Sequence, residues 1–212
     1  LSKYRQIIGV DMQAHGRTND RHMDLSFDQD ADAIATLLKC LQISKADILG
    51  FSNGGHTAIE IAIRYPDLGN KKILCSTFYK RSGAAPQVWE GMNNAKFSDM
   101  PRAYKDEYLK LNTDPARLMN MFNKDVHRMQ SFKDWSDDQM RSIKAPVLVS
   151  TGDEDVGSAE HAVEMYRIIP NCELAIIPGR HGKLLGEITT LENGKWTQNY
   201  VTSLIEEFLD KE

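Results

Sequence analysis

Hydrophobic positions along the chain gather into short runs separated by polar stretches, and the period changes from run to run. Residues 7–10, Ile-Ile-Gly-Val, make a compact apolar run closed by Asp11 and a polar loop to Asn19. Residues 46–51, 72–76, 146–151 and 173–177 are similar β-rich runs, each of the length of a strand covered on both faces. Between them the period becomes helical. Ile34, Leu37, Leu38 and Leu41 recur at i, i+3, i+4 and i+7, with Ser26 and Gln29 spaced as a capping box ahead of them. Ala58, Ile61, Ala62 and Tyr65 form a second stripe over 54–65. Ile59 and Ile63 add apolar groups on its other side, so this helix is expected at the centre of the fold. Residues 160–168 form a third helix ending ahead of Pro170, and Val201, Leu204, Ile205 and Phe208 stripe the last one.

Strands alternating with helices predict an α/β fold, a mostly parallel sheet with helices on both faces. One interval breaks the alternation. Residues 78–144 contain no convincing strand, yet a structureless loop of that length would be unusual, so a helical insertion is predicted. It holds six of the nine methionines, Met92, Met100, Met119, Met121, Met129 and Met140. An adaptable apolar pocket and plain packing onto the sheet would both produce that composition.

Composition narrows the partners. A chain of 212 residues, 41% hydrophobic and 26% charged, is an ordinary globular domain. Its net charge of −4 comes without a basic cluster, which argues against nucleic acid or an anionic membrane surface. No run approaches the roughly 18 apolar residues of a membrane span. Cys40, Cys75 and Cys172 lie far apart in apolar stretches, which predicts buried thiols in place of a disulfide framework or metal cluster. No metal and no cofactor are expected. The chain opens on Leu1, so its true beginning is expected upstream, and the cytoplasm is the expected compartment, with secretion left open. A homodimer is likewise left open.

The chemistry centres on "ILGFSNGGHT" at residues 48–57, an apolar strand entering a glycine corner ahead of a helix. From Gly50 it is one residue from a phosphate-cradling loop, but His56 stands where that loop needs a lysine, and the strand "KKILCSTF" ends without a magnesium-binding acid. The same letters contain G-x-S-x-G, a strand-to-helix turn that exposes Ser52 as a nucleophile. Ser52 could alternatively serve only as a helix cap. Gly50 and Gly54 are expected to provide clearance at such a turn. "PVLVSTGDEDVG" puts Asp153 and Asp155 in a turn after one strand, and "LAIIPGRHGKLL" puts His181 after another. All three elements follow strand C-termini, the edge where open α/β sheets gather their sites. Of the other histidines, His56 reads as structural, His15 as either pocket mouth or solvated loop, and His22, His127 and His161 as surface.

On these residues the chain resembles the α/β-hydrolase superfamily, in its serine-hydrolase branch with a helical cap. "IIGVDMQAHGRTND" is similar to that family's fourth strand and its Asp-x-x-Gly-His-Gly-x-Ser loop, with Ala14 replacing a glycine and Thr18 the serine. "ADILGFSNGGHTAIEIAIRYPD" is similar to the nucleophile elbow, 152–155 to the Gly-Asp-x-Asp turn and 179–182 to the late histidine loop. The resemblance implies a core of residues 1–77 and 145–212, and a cap at 78–144. It implies Ser52 as nucleophile, Asp155 in preference to Asp153 as the acid, His181 as base, and the Asn53 backbone N–H as an oxyanion donor. The family's earlier strands, one of which delivers a second donor, have no counterpart here, which makes a truncated chain the expectation. The implied activity is hydrolysis of a carboxylic ester or related acyl bond in a small apolar substrate. A binding protein on the same scaffold, an aminopeptidase, a thioesterase, a carbon–carbon bond hydrolase and a perhydrolase remain alternatives.

Overall fold

The computed structural model describes residues 1–211. Four parallel strands pair in chain order: β1 (Ala46–Phe51), β2 (Gly69–Cys75), β3 (Val147–Glu154) and β4 (Cys172–Arg180). Along β2 and β3 the side chains alternate between two apolar layers, as the two-residue period of a strand requires. Leu74, Val147 and Val149 enter the larger layer with Ala58, Ile59 and Ala62 of α2 (Asn53–Arg64). Ile73, Cys75 and Leu148 enter the other. Helix α1 (Phe27–Cys40) packs on α2. The expected central place of α2 is observed, with Ala58, Ile59 and Ile61 fully covered, while Gly54 and Arg64 at its ends are exposed.

The long interval folds as helices, α3 (Pro86–Asn93), α4 (Arg102–Leu111), α5 (Pro115–Gln130) and α6 (Asp137–Arg141). Met129, Met140, Phe132 and Trp135 from it join the larger apolar layer, and Met121 packs in a small cluster with Ala14 and Tyr108. Packing therefore accounts for Met121, Met129 and Met140, whereas Met119 is exposed. Helix α7 (Ala159–Ile168) returns to the sheet through Ala162 and Met165. Helix α8 (Val201–Asp210) covers the opposite face through Val201, Ile205 and Phe208. Its C-terminal carbonyls of Phe208 and Leu209 accept from Lys71 Nζ, a cation placed where the helix dipole is negative.

Several expectations are corrected. Residues 7–10 form no strand; among the described residues β1 pairs only with β2, so the run has no ladder partner and Ile7 and Val10 are exposed. The predicted capping box of α1 is half made. Ser26 Oγ accepts from the Gln29 N–H at 3.4 Å, but Gln29 Oε1 makes no hydrogen bond. Of the cysteines only Cys75 is buried; Cys172 is half-buried and Cys40, at the outward end of α1, is exposed. Asp153 belongs to β3 and not to the turn after it. The loop at 11–18 keeps the turn that its letters suggested. Ala14 adopts φ 66° where the resembling motif has glycine, and Thr18 Oγ donates to the Asp11 carbonyl at 2.6 Å. No helix among the described residues is long and apolar enough to cross a membrane.

Candidate active site

Strand β1 turns directly into α2 at Ser52, which has φ 52° and ψ −119°. A non-glycine residue at positive φ is strained, and such strain concentrates where function needs a side chain presented sharply. The turn is possible because glycines leave room. A Cβ on Gly50 would lie 2.1 Å from the Gly54 carbonyl oxygen. Clearance on the helix side comes from a residue other than the one expected. A Cβ on Gly54 would meet nothing within 4 Å, whereas one on Gly55 would lie 2.6 Å from Thr77 Cβ. Gly55, beyond the five-residue motif, is the position where the helix approaches the end of β2. Ser52 Oγ makes no capping bond. It lies 3.1 Å from His181 Nε2 instead.

His181 follows β4 on a loop shaped by Gly179 (φ 137°) and Gly182 (φ 78°). Its Nδ1 lies 2.6 Å from Asp155 Oδ1. The ring of Phe51, a residue with no functional signal in the sequence, packs on the imidazole with centroids 4.9 Å apart. Asp155 follows β3, and its side chain is fully covered while that of His181 is 31% exposed. Burial alone would raise the Asp155 pKa, but hydrogen bonds from His181, Ser76 and the Gly152 N–H outweigh it and hold the carboxyl below its ordinary value. Oδ1 also accepts from the Val156 N–H at 2.7 Å, and Oδ2 from the Gly152 N–H at 3.1 Å and Ser76 Oγ at 2.6 Å. The acid is thus ionised, rigid and aimed. Asp153 does something different: its Oδ1 accepts from the Gly179 N–H and ties β3 to the end of β4, just ahead of His181.

Asn53 is the first residue of α2, so its N–H has no acceptor within the helix and sits at the positive end of the dipole. Beside His181 opens a cleft of about 460 Å³ lined by Val88, Tyr104, Glu154, Asp155, Val156, Arg180, Glu187 and Thr189. Val88 comes from α3 and Tyr104 from α4. Among the described residues no group of three or more His, Cys, Asp or Glu side chains could hold a metal ion. The chemistry such an arrangement supports is proton transfer from a serine hydroxyl through an oriented imidazole.

The remaining histidines are dispersed. His15 Nε2 pairs with Asp125 Oδ2 of α5 at 2.8 Å, and Nδ1 contacts the Gln13 carbonyl oxygen at 2.8 Å. It is a clamp between the 11–24 loop and α5. His56 is buried among Phe27, Phe78, Phe132 and Trp135, and burial followed by the nearby Arg128 charge pushes its pKa down to about 3. His22 and His127 are exposed. His161 is not at the surface: it is 4% exposed, stacked on Tyr79, with Nε2 accepting from the Tyr79 N–H and Nδ1 against Glu164 Oε2 at 3.0 Å.

Known proteins agree with this architecture. The chain is 25% identical over 203 residues to the 2-hydroxymuconate semialdehyde hydrolase of Pseudomonas sp. (strain CF600), covering 92% of this chain and 66% of that protein. It is 25% identical over 181 residues to the human serine hydrolase BPHL, covering 79% and 59% respectively. The chain thus spans slightly less than two thirds of the length of these relatives. Among solved structures, the meta-cleavage product hydrolase CumD of Pseudomonas fluorescens IP01 superposes with a TM-score of 0.67 at 21% identity, over 94% of this chain and 77% of that one. A likeness at that identity establishes the α/β-hydrolase fold. The model of the family described as serine aminopeptidase, S33, matches residues 5–189, and the chain belongs to that family.

Proposed function

We propose that the protein is a serine hydrolase that cleaves a carboxylic ester or related acyl bond of a small, fairly apolar substrate. The observation that carries the proposal is the unbroken line from Ser52 Oγ to His181 Nε2 at 3.1 Å and from Nδ1 to Asp155 Oδ1 at 2.6 Å. In this reading Ser52 Oγ attacks the carbonyl carbon while His181 Nε2 takes its proton. Asp155 keeps Nδ1–H oriented and stabilises the imidazolium without taking the proton itself. The oxyanion accepts from the Asn53 N–H, a kind of donor whose loss costs about 10²–10³ in rate. The imidazolium returns its proton to the departing alkoxide, leaving an acyl-serine. Water, deprotonated by His181, then releases the carboxylic acid and restores the hydroxyl. The segment 78–144 acts as a cap, and Val88 and Tyr104 with Val156 form the apolar wall of the cleft. A small-molecule substrate suits a site of that size.

The test is reaction with a fluorophosphonate, which phosphonylates only an activated serine. Stoichiometric labelling that disappears in Ser52→Ala is the expected result. An unlabelled parent protein would leave a binding protein on a hydrolase scaffold, and labelling that survives Ser52→Ala would place the nucleophile elsewhere. The likeness to 2-hydroxymuconate semialdehyde hydrolase over 92% of the chain favours a second reading, the same triad acting on a substrate of that type. Turnover of 2-hydroxymuconate semialdehyde well above that of p-nitrophenyl acetate would favour it over ester hydrolysis.

A further inference from the structure

We infer that Ser76 is a positioning residue: its hydroxyl anchors the Asp155 carboxylate and thereby sets the basicity of His181. The inference rests on the Ser52, His181 and Asp155 reading above. Ser76 follows the last residue of β2, is 2% exposed, and has φ 51°. A serine in that region is strained where glycine would be relaxed, so the neighbourhood holds it there against its preference. The backbone is pinned by the Ser76 N–H donating to the Ser150 carbonyl at 2.8 Å. From there Oγ reaches the residue just past β3 and donates to Asp155 Oδ2 at 2.6 Å.

The stereochemistry explains why this bond matters. Asp155 Oδ1 serves His181 and the Val156 N–H, while Oδ2 receives the Gly152 N–H and Ser76 Oγ. Each oxygen of a covered carboxylate then has two donors, and Ser76 supplies the only one of the four that belongs to neither the imidazole nor the backbone. Removing that donor leaves more negative charge facing Nδ1–H, which favours the imidazolium. Other charged or titratable groups around the pair cannot substitute. Cys75 is neutral, its thiol pushed by burial up to about 12. Glu154, Arg180, Glu187 and Tyr104 line the open cleft on the His181 side.

Two variants and two readouts test this. Ser76→Ala removes the hydroxyl, and Ser76→Gly removes it while suiting the positive φ, so Ser76→Gly carries the test if Ser76→Ala does not fold. The His181 Cε1–H resonance, assigned by its loss in His181→Asn, is titrated by NMR. The pH dependence of fluorophosphonate labelling is measured in parallel. The His181 midpoint is expected to rise by about one pH unit, about 1.4 kcal/mol, in both variants. The acid limb of labelling should move with it. A role confined to packing would change stability and leave the midpoint in place. Midpoints within about 0.2 unit of the parent in the folded variants overturn the inference. If the midpoint rises but the parent is never labelled, the positioning role stands and the hydrolase reading falls.

Discussion

Arg128 is predicted to fasten α5 to α1, and Arg128→Met measures how strongly. The guanidinium on α5 bonds Asp30 Oδ2 of α1 at 2.8 Å, with side chains only 6% and 3% exposed. It also reaches Asp125 and lies over the Phe27 ring, 4.9 Å from its centroid. Methionine keeps most of the stem volume, so the main change is to leave Asp30 buried beside no cation. Breaking a buried pair from one side costs about 3–5 kcal/mol. Asp125 suffers less, since it keeps His15. With a urea m-value of about 2 kcal/mol per molar, the unfolding midpoint should fall by about 2 M. The loss should depend on pH. Burial already holds the Asp30 pKa above its ordinary value despite Arg128. A carboxyl raised on folding stabilises below its unfolded pKa and loses that contribution as pH rises through the folded one. His15 acts in the same direction, because the Asp125 hydrogen bond and charge outweigh burial and raise its pKa. The deficit of Arg128→Met should therefore be larger at pH 7.5 than at pH 5. Asp30→Asn added to Arg128→Met should recover much of it, by removing the stranded charge. Urea melts followed by circular dichroism at both pH values decide the matter. A deficit under 1 kcal/mol, or a double variant no better than Arg128→Met, would refute the reasoning.

Two further predictions concern the elbow and the acid. Asp155→Asn should lower kcat by about 10⁴ by presenting an amide where His181 Nδ1–H needs an acceptor, whereas Asp153→Asn, whose partner is the Gly179 N–H, should retain most activity; steady-state hydrolysis of p-nitrophenyl acetate distinguishes them. Gly54→Ala should be neutral or stabilise by up to about 1 kcal/mol, as alanine does in an open helix position. Gly55→Ala, 2.6 Å from Thr77 Cβ, should destabilise by about 1–3 kcal/mol, and thermal melts of the two variants check the contrast.

The α/β architecture and the meeting of Ser52, Asp155 and His181 were legible in sequence because each depends on local signals. A strand that runs into glycine, a helix period that follows, and a polar residue at the strand's end are all short-range patterns, and a parallel sheet brings such ends to one edge. What stayed hidden depends on a neighbour distant in sequence. Residues 7–10 have the letters of a strand, but a strand is a pairing, and no partner run can be read from Ile-Ile-Gly-Val itself. His161 carries no mark of burial until Tyr79 stacks upon it, and Cys40 sits in an apolar stretch whose final turn faces outward. The exchange of Gly54 for Gly55 has the same origin, since clearance is set by Thr77 in the loop after β2.

The same distinction accounts for how the site is built. Ser52, Asp155 and His181 meet at one sheet edge, and each is held by a short-range device: positive φ at Ser52, glycines around His181, and backbone N–H donors at Asp155. The devices that relate them to one another are long-range, with Ser76 reaching from β2 to Asp155, Asp153 from β3 to Gly179, and Phe51 from β1 onto His181. Single substitutions of the side chains held by the first set should cut the rate by orders of magnitude, about 10⁴ for Asp155→Asn. Those at the second should shift its pH dependence or its rate while leaving the fold in place, because each acts on the orientation of a group that the sheet already supplies.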